Sequence, residues 1–228
     1  MRILHVADLH ARWDWYDWLA RQSSEFDLVV IAGDLVDMLD DRTLPEQTRR
    51  VSGWVRAFPG KLLICSGNHD VFLEQSIDAS VTSPRWIQDL ASDRVVVDGA
   101  SVQCGPLRFE VVPWGGVPTL RVPTDIVIAH CPPSGGKTAL THDDPVGFGD
   151  LELADVLTQA QHSPWLILGG HNHAPRRWYA QVPGTRCWSL VPGCRPDVDV
   201  PLHLIVDTDK MRAERVRPDL REVLAIRR

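Results

Sequence analysis

Residues 62–70 read LLICSGNHD, four apolar residues that end in Gly67-Asn68-His69-Asp70. A short apolar run bounded by a polar turn is the signature of a strand buried on both faces. The same figure recurs on either side. Residues 2–10, RILHVADLH, run as strand over Arg2–Ala7 and end in Asp8-Leu9-His10. Residues 28–37, LVVIAGDLVD, run over Leu28–Ala32 and end in Gly33-Asp34-Leu35-Val36-Asp37. Later, Ile126–Ala129 ends at His130, and Trp165–Leu168 is followed by Gly170-His171-Asn172-His173. Ligands of open α/β sheets bind outside the carboxyl ends of strands, so these five clusters are predicted to converge on one crevice.

Helical spacing lies between the strands. Val51, Trp54, Val55 and Phe58 form one apolar face, and Leu153, Val156, Leu157 and Ala160 repeat it. The middle of the chain differs: Val95–Val97, Val102–Cys104 and Leu107–Val112 are separated by the turn signals Asp98-Gly99 and Gly105-Pro106, which reads as a β-meander. Gln181–Leu190 and Leu202–Asp207 add strand. The predicted fold is α/β, a four-layer α/β/β/α sandwich of two packed mixed sheets flanked by helices. Residues 1–228 are read as one domain, with about 210–228 as an edge strand and a solvated C-terminal tail.

Composition limits function. The chain has 228 residues and a formal charge of −6, which supplies no broad basic surface for coating a nucleic-acid polymer. It has no apolar run near the roughly 20 residues that span a bilayer and no secretory leader pattern. Its five cysteines lack CxxC spacing, so a disulfide framework and a zinc ribbon are not expected, and a cytoplasmic setting is. Of nine tryptophans, Trp13, Trp15 and Trp114 are the ones that could wall a substrate cleft.

Taken singly, each strand-end cluster has a plain reading as turn or capping chemistry. Together they form a set of carboxylates, imidazoles and a carboxamide, donors suited to divalent Mn, Fe, Co, Ni or Zn rather than calcium. The ordered motifs DxH, GDxxD, GNHD, a lone His after a strand and GHNH resemble the calcineurin-like metallophosphoesterase superfamily, from residue 3 to about residue 207. The resemblance implies two divalent transition-metal ions, manganese foremost. Asp8, His10, Asp34 and His173 would hold the first; Asp34 as a bridge, Asn68, His130 and His171 would hold the second. It further implies a metal-bridged hydroxide as nucleophile, His69 as proton donor to the leaving oxygen, Asp70 as the carboxylate orienting His69, and Asp37 as an acid outside direct metal contact.

Flanking segments bear on the substrate. His130-Cys131-Pro132-Pro133 resembles the His-x-Pro-Pro variant of small relatives, some acting on cyclic nucleotides and related diesters. The loop from Gly135 to Gly149 reads either as a lid or as a surface excursion, and Arg176 and Arg177 either reach a phosphate oxygen or are solvated. Val191-Pro192-Gly193-Cys194 resembles a turn of small bacterial-type members with its polar residues replaced, and Cys194 receives no catalytic role. The reading is a hydrolase of a small, nucleotide-like phosphodiester. Alternatives are a permissive phosphomonoesterase, a nucleic-acid-end phosphatase or nuclease on the same core, and a non-catalytic metal-binding scaffold. Neither membrane association nor polymer binding is expected, and oligomeric state is not readable.

Overall fold

The structure, a computed structural model, describes residues 1–144 and 147–227. Strands β1 (Arg2–Val6), β2 (Leu28–Ala32) and β3 (Leu62–Cys65) run parallel, and their alternate residues face two different cores. Ile3, Leu28, Val30 and Leu63 point one way, while Leu4, Val29, Ile31 and Ile64 point the other. Both sets are apolar because both faces are covered. On one face lie α1 (Trp13–Gln22), with Trp15, Tyr16 and Leu19 buried, and α2 (Leu44–Ala57), with Val51 and Val55 buried. Helix α2 is the one expected from the Val51–Phe58 spacing, and Pro45 sits in its first turn, where a missing N–H costs nothing.

The chain continues through α3 (Asn68–Gln75) and α4 (Arg85–Gln88) to β4 (Val95–Val96), which pairs parallel with β3. The expected meander is therefore not formed. Only β5 (Ser101–Cys104) and β6 (Leu107–Val112) make a hairpin, closed at Gly105, and they belong to the second sheet. Between β4 and β5 the Asp98 carboxylate accepts from Ser66 N and Ser83 Oγ, and Gly99 turns the chain from one sheet to the other at φ +76°.

β7 (Ile126–Ala129), α5 (Leu151–Gln159, started by the Asp150 carboxylate on Leu153 N), β8 (Leu166–Leu168), β9 (Tyr179–Gln181) and β10 (Trp188–Leu190) follow. They complete the second sheet in the order β5-β6-β7-β8-β10-β9. Phe109, Ile126, Ile128, Leu166 and Leu168 face the first sheet, while Val127 and Ile167 face outward, where Leu153 and Leu157 of α5 cover them. The layers are thus helix, sheet, sheet and helix, as predicted. No helix among the described residues is long and apolar enough to cross a membrane.

The chain then returns to the first sheet. β11 (His203–Asp207) pairs antiparallel with β1, and β12 (Arg212–Val216) and β13 (Arg221–Ala225) extend the sheet beyond it. The stretch expected as one edge strand and a tail is a two-strand hairpin. Its basic residues hide an alternation in which Ala213, Leu224 and Ile226 turn inward and join the core between the sheets. Leu224→Ala is therefore expected to lose about 2–4 kcal/mol, read from denaturant midpoints. Val223→Ala, on the exposed face of the same strand, should change stability by well under about 1 kcal/mol; equal losses would mean the hairpin does not contribute to the core.

Candidate metal centre

The ends of β1, β2, β3, β7 and β8 meet at one place, and the backbone there is unusual. Seven non-glycine residues among those described have positive φ, and four of them are Asp8 (57°), His10 (43°), Asp34 (54°) and His171 (65°). Each such residue costs about 1–3 kcal/mol unless its surroundings enforce it, a pattern that concentrates at functional sites. Backbone bonds enforce it here: His10 N–H donates to Asp34 O at 2.9 Å, and Ala11 N–H to Leu35 O at 2.9 Å, beyond the paired strands. Close approach does the rest. A methyl group at Gly67 would overlap the Asp34 carboxylate, and one at Gly33 would overlap the His130 ring.

The structure brings all seven expected ligands and His69 together. Asp34 Oδ2 lies 3.3 Å from His130 Nε2 and 3.9 Å from both His10 Nε2 and His69 Nε2. His173 Nε2 lies 3.1 Å from His10 Nε2 and 3.5 Å from Asp8 Oδ1. Donor atoms of Asp8, His10, Asp34 and His173 all fall within 4.8 Å of one another. On the other side of Asp34, Asn68 Oδ1 is 3.2 Å from His130 Nε2 and 3.0 Å from His171 Nδ1.

The residues fit metal ions on two counts. Asp8 Oδ2 is buried with no hydrogen-bond partner, which is costly unless something positive is taken up beside it. His130 Nδ1 is 2.7 Å from the Ala32 carbonyl, an acceptor, so Nδ1 carries the proton. Nε2 is aimed at the oxygens of Asp34 and Asn68, and although burial works to lower the ring's pKa, the Asp34 charge holds it up at about 9, so that the ring carries a positive charge. The inward-facing oxygens of Asp34 and Asn68 thus gather positive charge at this point, a proton on Nε2 or a metal ion in its place. Burial alone would raise the Asp34 pKa, but His130 overcomes it and holds Asp34 ionised. Burial, reinforced by the charge of His130, pushes His171 down to about 4, leaving a neutral imidazole free to ligate.

Asp70 does not orient His69. Its carboxylate is buried and accepts from Leu35 N (2.9 Å), Val36 N (3.2 Å) and Gly67 N (2.8 Å), so it binds the β2 loop to the start of α3. Burial and the nearby Asp34 charge push its pKa up, against three N–H donors that favour its ionised form. His69 is oriented from elsewhere. Met38 N–H donates to His69 Nδ1 at 3.0 Å, and Asp37 Oδ1 lies 3.4 Å from the same nitrogen. The proton of the neutral ring is thereby assigned to Nε2, on the Asp34 side. The Met38 N–H carries no sequence signal, since any residue supplies one; Asp37 was singled out as the acid of GDxxD outside direct metal contact, but not as the neighbour of His69.

Aromatic rings line one side. Trp114 stands 5.6 Å from His130 and 5.3 Å from His171, and Phe148 stands 6.1 Å from His171. Trp13 and Trp15 do not reach the site: Trp15 is buried with Nε1–H on Val198 O, and Arg50 covers the ring of Trp13. Within the Gly135–Gly149 loop, residues 145 and 146 lie outside the described residues. The rest is tied to the frame by Asn172 Nδ2 on the carbonyls of Thr138 and Leu140, and to itself by Phe148 N on Ala139 O.

A sequence model described as calcineurin-like phosphoesterase matches residues 1–175. One crystal structure aligns over 99% of both chains at 14% identity with a TM-score of 0.60. TT1561 of Thermus thermophilus aligns over 99% of both at 14% identity with a TM-score of 0.55. YfcE, a phosphoesterase from E. coli, aligns over 100% of both at 14% identity with a TM-score of 0.44. The first two share the fold of this chain. No curated protein matches the sequence.

The close approach at Gly67 makes a sharp expectation. Gly67→Ala should displace Asp34 and strip bound metal from the purified protein, read by elemental analysis. Gly53→Ala, on open space within α2, should leave metal content unchanged and stabilise the fold by about 0.5–1 kcal/mol. Full metal content in Gly67→Ala would show that Asp34 tolerates displacement.

Proposed function

The chain belongs to the calcineurin-like phosphoesterase family, metal-dependent hydrolases of phosphoric esters, and on that footing we propose that it hydrolyses a small, nucleotide-like phosphodiester at a two-ion centre. Asp8, His10, Asp34 and His173 would hold one ion, and Asp34, shared between the two, would hold the other with Asn68, His130 and His171. The mixed carboxylate, imidazole and carboxamide set accepts Mn, Fe, Co, Ni or Zn, with manganese the first choice. When bound, the ions supply Lewis acidity toward phosphoryl oxygens and lower the pKa of water.

The protein's own residues do the rest. Asp34, buried and ionised, keeps the centre's negative charge at its middle, and the N-terminal end of α3 supports it through His69 N–H on Oδ1 at 3.0 Å. His69 acts as general acid in its doubly protonated form, with Nδ1–H toward Asp37: it gives the Nε2 proton to the departing ester oxygen and is left as neutral imidazole. Asp37, beside Nδ1, stabilises the ring whenever it carries two protons. His69→Ala should therefore lose little with a phenolate leaving group and about 10²–10⁴-fold in kcat with an alkyl one. Asp37→Asn should show the same split at smaller size. Asp70→Asn should show no split: both esters should lose alike as the two loops it joins shift. Equal losses of His69→Ala on both esters would overturn proton delivery.

The observation that carries the substrate assignment is Trp114 beside His130 and His171, an aromatic face against which a base can stack next to the ions. The His130–Pro133 segment, like that of diesterase relatives, and the net charge of −6 both favour a small diester over a polymer. The test compares 2′,3′- and 3′,5′-cyclic nucleotides, bis-p-nitrophenyl phosphate and p-nitrophenyl phosphate with manganese. Diester turnover should match or exceed monoester turnover, and Trp114→Ala should raise KM for the cyclic nucleotides about tenfold, the size of one lost base stack. Turnover confined to monoesters would overturn the diester reading and leave family membership untouched.

A further inference from the structure

Beyond His173, away from the aromatic side, the 137–142 stretch, the 175–179 stretch and the β12–β13 hairpin enclose a cavity of about 520 Å³. Lys137, Arg176, Arg177, Arg215 and Arg217 line it, and Glu222 is the one carboxylate among its described lining residues. Five cations around one hollow are unexpected in a chain of net charge −6. Two of them are answered: Arg215 lies 3.5 Å from Glu222, and Arg217 lies 3.4 Å from Asp219. Lys137, Arg176 and Arg177 have no carboxylate partner among the described residues.

These three are also fixed close together. Arg177 N–H donates to the Lys137 carbonyl at 3.2 Å, and Arg176 N–H donates to the Leu140 carbonyl at 2.7 Å. The backbone thus anchors three cationic residues around one hollow, a concentration of like charge that an anion relieves. Arg215 is held as well, its Nε–H on the Pro192 carbonyl at 2.9 Å. The cavity is one turn of chain from the metal centre. Gly193 packs so tightly that a methyl group there would meet the His173 carbonyl on one side and the Arg215 guanidinium on the other.

We propose that this cavity is a phosphate-binding subsite, separate from the metal centre, that takes either a second phosphate group of the substrate or free phosphate. Several guanidinium groups about one hollow suit an anion with oxygens in several directions, because each planar fork can bind two of them. The occupant's identity rests on the reading of the chain as acting on small phosphorylated molecules; the charge of the cavity does not.

The test titrates inorganic phosphate into the full-length protein by calorimetry, before and after treatment with a chelator, for the wild type and for Lys137→Ala/Arg176→Ala/Arg177→Ala. All three side chains are exposed, so the fold should survive, which circular dichroism checks; Arg177→Glu alone is a second, milder variant. The wild type should keep phosphate binding after chelation, weakening with added salt. The triple variant should lose that component by about tenfold or more, the size expected for one or more lost charge-assisted hydrogen bonds. It should retain the component that the chelator removes. No phosphate binding by the chelated wild type, or equal binding by the chelated triple variant, overturns the subsite. A second arm separates the sources by comparing a 2′,3′-cyclic nucleotide with its 5′-phosphorylated form. A rise in KM of the triple variant confined to the 5′-phosphorylated substrate assigns the cavity to substrate; equal KM changes assign it to free phosphate. Retained phosphate binding without turnover of either nucleotide would sink the nucleotide diester reading alone.

Discussion

A carboxylate with almost no exposure, Asp34, faces three imidazole rings and is the point on which the whole site depends. Burying a charge is tolerable only when it is neutralised and held, and both tasks are delegated to neighbours. Gly33 and Gly67 leave room for the His130 ring and the carboxylate, and Asp70 ties together the two loops that carry them. The left-handed backbone at Asp8, His10 and Asp34 is stable because the β1–β2 pairing continues through the loops, and that at His171 because its N–H donates to Asp8 Oδ1. A change that relaxed any of these supports would move ligands rather than unfold sheets. The fold and the site are thus stabilised by largely different contacts.

Much of this was legible in residue order. A strand buried on both faces must be apolar throughout, so Leu28–Ala32, Leu62–Cys65 and Ile126–Ala129 declared themselves with their boundaries. What failed was inference from local turns. Asp98-Gly99 reads like a hairpin turn, yet it carries the chain between sheets, because whether a turn closes a hairpin depends on where the next strand finds a partner. The C-terminal hairpin was hidden by its arginines: Arg212 and Arg221 take outward positions, and Arg215 follows Ala213 on the inward face. Trp13 and Trp15, two of the three tryptophans that could wall a cleft, belong instead to α1, where Trp15 is core.

The same limit applied within the site. Residue types at strand ends pointed to the ligand set, since coordination demands particular atoms. The resemblance implied Asp70 as the carboxylate orienting His69, but Asp70 is occupied by backbone N–H groups. At the start of a helix, residues 69 and 70 diverge by about 100° around the axis, so Asp70 turns into the protein while His69 turns toward the crevice. The partner that remains for His69 comes from a loop about thirty residues away. One side of the crevice is aromatic and the other leads toward arginines, an asymmetry that gives a bound molecule a preferred direction.

The position of β1 has a consequence for how the chain reaches this state. It pairs with β2 on one edge and with β11 on the other, Arg2 opposite Asp207. During synthesis the strand bearing Asp8 and His10 is made first, yet its second edge stays open until roughly two hundred residues have followed. Every group assigned to the ions is already made by residue 173, before that edge is closed. An open apolar strand edge invites pairing with other chains, and contacts this distant in sequence make folding slow. The first sheet is therefore the stretch where a nascent chain is most exposed to misassembly, and its closure by β11 is a late event in biogenesis.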